Sequence, residues 1–352
     1  MTPRKRLSNR RHARPVSQKA IRVCALAIAA ALYVSTSGNI FSAHAAPDHP
    51  VFELPADCIP GADCTIQNYF DTDPGPGAVD YSGGRLTYDN HRRLDIRIAN
   101  LAVMENGVTV LAAAPGRVRA RRDGMADVSL RDVGEEAIRR RECGNGVLID
   151  HGGGWESQYC HLKIGSVAVR VNEMIERGRR LGLIGMSGRT EFPHVHFEVR
   201  HDGVAVDPFG GDSRTPLFSA AALAALDYDP TGLLNAGFAT RTPRRGEVLA
   251  GAHQDESAAA DSPSLVLWAE TYGVGAAMRE HFRIIGPDGA VLLDRLRKGP
   301  SRHQARRLAF MGIERGTSVW PAGRYLGEYV LERRDGGDWI VVLRVDRAVT
   351  VR

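Results

Sequence analysis

Three absences narrow the reading of this 352-residue chain before any motif is considered. No apolar run approaches the roughly 20 residues that a membrane-spanning helix needs; the run from Val23 to Val34 falls well short. No second Cys or His stands at C-x-x-C spacing beside any cysteine, which removes the cysteine-rich structural zinc sites. No internal repeat is present. The apolar fraction of 43% is that of an ordinary globular protein, so neither a disordered chain nor a membrane bundle is indicated, and the length suits two domains.

The amino-terminal stretch has a different character. Arg4, Lys5, Arg6, Arg10, Arg11, Arg14, Lys19 and Arg22 precede the short apolar run, and Ala43-His44-Ala45 follows it. A basic head, a short apolar middle and an A-x-A end predict a secretory signal peptide over residues 1–45, cleaved before Ala46. An uncleaved anchor is the rival reading, and the apolar run is too short for it. Cys24 lies at the start of that run rather than after it, which argues against a lipoprotein. Removal of the leader takes away eight basic and no acidic side chains, moving the formal charge from +5 to −3. The basic balance therefore belongs to the leader, and nothing in the mature chain calls for nucleic acid.

Four cysteines remain after cleavage, and an even number in an exported chain favours disulfides. Cys58 and Cys64 flank the Pro60-Gly61 turn. Cys143 and Cys160 lie on either side of Gly152-Gly153-Gly154, on segments expected to pair as a hairpin. Their offsets from that turn are unequal, so Gly144-Asn145-Gly146 would have to bend the first strand.

Residues 46–84 predict an irregular leading segment rich in Pro, Gly and Asp. Over 85–209, β-type runs recur between glycine-rich turns: Val108–Ala112, Gly116–Ala120, Val147–Asp150, Glu156–His161, Leu181–Ile184 and His194–Val199. Only Glu135–Arg141 looks helical there, and the expectation is a mainly β protein with an antiparallel sheet. Residues 210–262 predict a short helix over Ser219–Leu226 and then a linker. From 263 to 352, five strand signals separated by Gly-Pro-Asp-Gly and Asp-Gly-Gly turns predict a small β-sandwich of unreadable role.

Two clusters carry the chemistry: His91-Arg92-Arg93-Leu94-Asp95 and His194-Val195-His196. Alternate strand residues face the same way, so His194 and His196 present both imidazoles to one side. His91 and Asp95 would be about 13 Å apart on a straight strand, too far to share an ion. The chain must therefore turn between them, with His91 on a loop and Asp95 opening a strand over Asp95–Ala99. A catalytic zinc site takes three protein ligands and leaves a position for water. His91, Asp95 and one histidine of the pair would fill it, leaving the other for acid–base work. His161, at the end of a strand, is a further candidate, with Cys160 expected to face away from it.

Taken together, these residues resemble the LytM or lysostaphin-type zinc peptidases. The family pattern of H-x-x-x-D, a Tyr-x-His-Leu-like strand, glycine-rich turns and a Pro-His-x-His-Phe-Glu strand is matched over roughly residues 85–209. Here it is His91 to Asp95, Tyr159-Cys160-His161-Leu162, Gly182-Leu183-Ile184-Gly185-Met186-Ser187-Gly188 and Pro193-His194-Val195-His196-Phe197-Glu198. The resemblance implies one Zn2+ on His91, Asp95 and His196, with His161 and His194 catalytic. It implies a peptidoglycan endopeptidase of the periplasm or cell envelope, or secreted, whose partners are wall peptides. No stable membrane insertion of the mature chain is expected. The alternative is a LytM-fold regulatory or binding protein that activates other wall hydrolases, whose signature would be a missing ligand, and none is missing. Two positions depart from the family pattern: Arg93 replaces a usual glycine, and Phe192 replaces a small residue.

Overall fold

The computed structural model describes residues 49–211 and 215–352, so the expected signal peptide lies outside the described residues. The first set of strands is β1 (Cys64–Asn68), β2 (Leu94–Ile98), β3 (Thr109–Leu111), β4 (Gly116–Arg122) and β5 (Asn145–Gly152). It continues with β6 (Trp155–Leu162), β7 (Met174–Ile175), β8 (Arg180–Leu183), β9 (His194–His201) and β10 (Val204–Val206). Short helices α1 (Leu101–Asn106), α2 (Leu130–Val133) and α3 (Glu135–Ile138) interrupt them. An eight-stranded antiparallel sheet runs β1-β2-β9-β6-β5-β4-β7, with β10 hydrogen-bonded to β9. Strands β3 and β8 form a separate ribbon.

The period-two pattern of β9 decides which face becomes core. Val195, Phe197 and Val199 are buried within the main hydrophobic cluster, while His194, His196 and Glu198 line an open cleft on the other side. Strand β2 repeats this, with Leu94, Ile96 and Ile98 in the core and Asp95 facing the cleft. Each such side chain contributes roughly 1.5–3 kcal/mol on full burial. A one-residue slip would turn the histidines into the core, so burial of the apolar set also sets the aim of the polar one.

The second set comprises β11 (Gly232–Ala239), β12 (Ser257–Ala258), β13 (Ser264–Tyr272), β14 (Met278–Ile285), β15 (Val291–Lys298), β16 (Arg307–Glu314), β17 (Gly323–Asp335) and β18 (Asp338–Val351). A three-stranded sheet β11-β13-β16 and a five-stranded sheet β12-β18-β17-β14-β15 share one core that includes Phe238, Leu267, Phe282, Tyr325, Tyr329 and Val349. Helices α4 (Ala220–Ala225) and α5 (Arg245–Ala250) accompany them, and Ser219 caps α4 by accepting from the Ala222 amide.

The mainly β, antiparallel expectation agrees with this architecture, and several local expectations are corrected. The leading segment is not wholly irregular: Cys64–Asn68 pairs with β2. The stretch 210–262, expected as helix and linker, supplies β11, α5 and β12. The helix expected over Glu135–Arg141 is a single turn, α3, ending at Ile138, and a further turn, α2, precedes it across Gly134 at φ +77°. Helix α1 was not foreseen, nor was β16. Disulfides Cys58–Cys64 and Cys143–Cys160 are both present. The bend expected near Gly144 is there, as a positive φ and a register shift between Asn145 and Val147. No helix among the described residues is long and apolar enough to cross a membrane.

Candidate metal centre and cleft

Sheet register builds the site. Asp95 on β2 stands directly opposite His196 on β9, and Cys160 on β6 stands opposite His196 from the other side. The Asp95 Oδ1 lies 2.7 Å from His196 Nδ1 and 3.5 Å from His194 Nε2. Its Oδ2 accepts from Asn68 Nδ2 at 2.8 Å.

His91 sits on the loop before β2, as expected, although that strand opens at Leu94 rather than Asp95. The His91 side chain is fully buried, and its Nδ1 is 2.8 Å from the Tyr69 carbonyl, which selects the Nδ1–H tautomer. The Nε2 lone pair then points at Asp95 Oδ2, 3.1 Å away, and has no hydrogen-bond partner. Such a buried pair calls for positive charge, supplied by a proton on His91, whose imidazole burial lowers but the Asp95 carboxylate raises above its ordinary value, or by a metal cation between the two. His91, Asp95 and His196 each bring a ligand atom within 4.8 Å of the others, a nitrogen and oxygen donor set that suits Zn2+.

His161 reaches the cleft by a different device. Tyr159 is in the core, so strict alternation would send His161 to the same side. Instead its φ is +62°, the left-handed region, and the ring swings into the cleft beside Cys160. This corrects the expectation that Cys160 faces away: both disulfide sulfurs' residues, Cys143 and Cys160, line the cleft. The His161 amide donates to the Cys143 carbonyl at 2.9 Å, and its Nδ1 is 2.7 Å from the Ser187 carbonyl. His194 Nδ1 is held likewise, 3.0 Å from the Phe192 carbonyl and 3.2 Å from Thr190 Oγ1. The two rings lie 4.7 Å apart by centroid, and His161, His194 and His196 form a second convergent group. All five expected site residues therefore meet in one place.

Electrostatics differentiates them. Burial would raise the Asp95 carboxyl, but His91 and His194 beside it hold it well below the usual carboxylate range. Burial, then the neighbouring His194 and His196, holds His161 well below its ordinary value, which favours the neutral ring. The cleft, about 710 Å³, is rimmed by Tyr88, Arg93, Gln158, Arg189, Glu191 and Arg200. Arg93 lines the cleft with its Nε donating to Glu198 at 2.7 Å, and Arg200 engages the other Glu198 oxygen. Sequence reasoning missed Asn68, Tyr69 and Thr190. Asn68 and Tyr69 act from a segment with no motif, and Thr190 gives no periodic signal.

Residues 99–208 match the model of Peptidase family M23, a span that includes His161, His194 and His196 and begins after His91 and Asp95. The chain contains an M23, LytM-type peptidase domain. It is 32% identical over 122 residues to the DD-carboxypeptidase/endopeptidase Mpg of Neisseria meningitidis serogroup B, covering 35% of this chain and 26% of that protein. It is 39% identical over 56 residues to the peptidoglycan DD-endopeptidase ShyA of Vibrio cholerae serotype O1, covering 16% of this chain and 13% of that protein. The matches thus span a minor part of each relative. A crystal structure of a zinc containing peptidase from Vibrio cholerae aligns at a TM-score of 0.30 and 22% identity, over 51% of this chain and 40% of that one, a likeness too distant to carry functional weight.

Proposed function

We propose that this chain is an exported zinc-dependent endopeptidase that hydrolyses peptide bonds in bacterial peptidoglycan. The observation carrying the reading is the buried Nε2 of His91, without a hydrogen-bond partner and aimed at Asp95 in a cleft shared with three further histidines. His91, Asp95 and His196 would hold the ion. Zinc supplies Lewis acidity there, activating water near neutral pH and polarising the amide carbonyl. His161 and His194, each fixed at Nδ1 by a backbone carbonyl, leave Nε2 for the reaction. One takes the proton of the attacking water, and a protonated imidazole then serves the leaving amine. Until it is passed to the amine, the Nε2 proton so gained can also be donated to the oxygen that gains charge.

The DD-endopeptidase names of the partial relatives support a D-alanyl–diaminopimelate cross-link as the bond cut. With this reading goes the division into a leader (1–45), a leading segment (46–84), a peptidase domain (85–209), a connecting region (210–262) and a C-terminal β domain (263–352). The test pairs zinc content with digestion of purified peptidoglycan by oxidised residues 46–352, a metal-stripped sample and His196→Ala. Bound zinc with chelator- and mutation-sensitive release of muropeptides is expected. Folded protein that neither binds zinc nor cleaves would leave a LytM-fold binding module as the better account.

A further inference from the structure

The residues that hold His194 reach into the C-terminal sandwich. His194 stands opposite Arg97 in the β2–β9 register. Besides the carbonyl contact at Nδ1, its ring stacks on that of Phe192, with centroids 4.6 Å apart and planes at 29°. The Arg97 guanidinium lies over the same Phe192 ring, 4.8 Å from its centroid. Arg97 is only 1% exposed, and a charge so enclosed needs a counter-charge. It comes from outside the peptidase sheet: Nη2 is 3.7 Å from Oε2 of Glu270 on β13, itself 0% exposed. Nη1 donates to Gln67 Oε1 at 3.0 Å. The next residues along the contact also belong to the sandwich side, with Arg306 Nε donating to Glu270 and Gln67 Nε2 donating to the Ala305 carbonyl.

We propose that Phe192, Arg97 and Glu270 are positioning residues for His194, making the C-terminal sandwich a structural part of the catalytic centre. The proposal rests on the peptidase reading of the cleft. An imidazole torsion is broad and nearly two-fold, so a histidine held at Nδ1, with Nε2 a looser 3.5 Å from Asp95 Oδ1, can still turn over and exchange its ring nitrogens. Stacking against Phe192 blocks that turn. Phe192 lies in a bend rather than a strand, and Arg97 packed on its face holds that bend against β2. The arrangement is a poor way to gain stability alone. Arg97 Nε and Nη2 and Glu270 Oε2 are buried without hydrogen-bond partners, where apolar side chains would pack without that penalty.

The experiment compares the oxidised full chain with Phe192→Ala, Phe192→Tyr and Glu270→Gln. It reads kcat and KM on a cross-linked muropeptide dimer, zinc content, and the imidazole 15N shifts of His194 in metal-free protein. Phe192→Ala is expected to keep zinc and to lose kcat on the order of tenfold or more, with KM changed less than about twofold. Phe192→Tyr should restore most of that loss. Glu270→Gln should lower kcat in the same direction although it does not line the cleft, and in both damaging variants His194 should pass from one tautomer to a mixture. Unchanged kcat in Phe192→Ala, or a loss matched by loss of zinc, overturns the proposal. If the unaltered protein binds zinc but cleaves nothing, it is the peptidase reading that fails. The His194 shifts then decide positioning by themselves: a single tautomer in Phe192→Ala sinks it, and a mixture supports it.

Discussion

Glycine at position 161 should give a more stable protein than alanine, the reverse of the order at an ordinary strand position. The φ of +62° at His161 imposes on any residue with a Cβ a cost of roughly 1–2 kcal/mol. Glycine escapes it but loses about 0.5–1 kcal/mol more backbone entropy than alanine on folding. Both substitutions delete the same imidazole and the same contact with the Ser187 carbonyl, so these losses cancel between the two variants. The difference should favour glycine by roughly 0.5–1 kcal/mol. In urea unfolding of the metal-free, oxidised proteins this separates the midpoints by about 0.3 M, with equal slopes. The control is Gln158, on the same strand without a positive φ, where alanine should be the more stable. If His161→Ala matches or exceeds His161→Gly, the backbone there carries no strain, and the account of how that ring enters the cleft is wrong.

Two further perturbations test other parts of the molecule. Glu280 is buried, which alone would raise its carboxyl, but bonds from Arg307 and Arg297 hold it below the ordinary glutamate value. A depressed carboxyl contributes stability that is present above its unfolded pKa and lost as pH falls through the folded one. Calorimetry should therefore show a stability loss beginning below about pH 4.5 that Glu280→Gln removes, along with about 3–5 kcal/mol lost at neutral pH. A variant with an unaltered acid limb would refute this. Replacing Cys143 and Cys160 by serine opens a link of sequence separation 17 and should destabilise by roughly 3 kcal/mol. Cleavage should fall more than zinc binding, since the link adjoins His161 and, of the three proposed ligands, only His196 pairs with a linked cysteine. Equal loss of both would contradict that placement.

What could be read from residues alone was whatever repeats with a short period. The alternation of Val195, Phe197 and Val199 with His194, His196 and Glu198 announced both the core face and the cleft face of β9. The impossibility of joining His91 to Asp95 along a straight strand announced the turn between them. Features that depend on a single torsion or a distant partner left no such trace. The left-handed His161 breaks the alternation that would have predicted it, which is why Cys160 was expected on the wrong side. Asn68 binds Asp95 from an edge strand that composition disguised as loop. Arg97 and Glu270 lie far apart in the chain, and each looks like an ordinary surface charge until the fold encloses both. Strand β11 was hidden by the alanine and glycine of its own sequence, which favour no strand until β13 pairs with them.

The sheet order has a consequence for how such a protein can vary. Asp95 and His196 face each other across β2 and β9, with Cys160 next on β6, so two of the three proposed metal ligands are spaced by hydrogen-bonded strands while His91 stands on a loop. Residues around Glu142, Arg189 and Glu191 on the rim belong instead to the connections between strands. Insertions or exchanges in those connections can reshape what the cleft admits while the ladder beneath keeps its dimensions. Those same connections carry Thr190 and Phe192, whose oxygens hold His194, and Cys143, whose carbonyl accepts from the His161 amide. Under the proposed function, what the cleft admits and how its histidines are aimed are therefore coupled in the loops, with the Asp95–His196 rung alone fixed by the sheet.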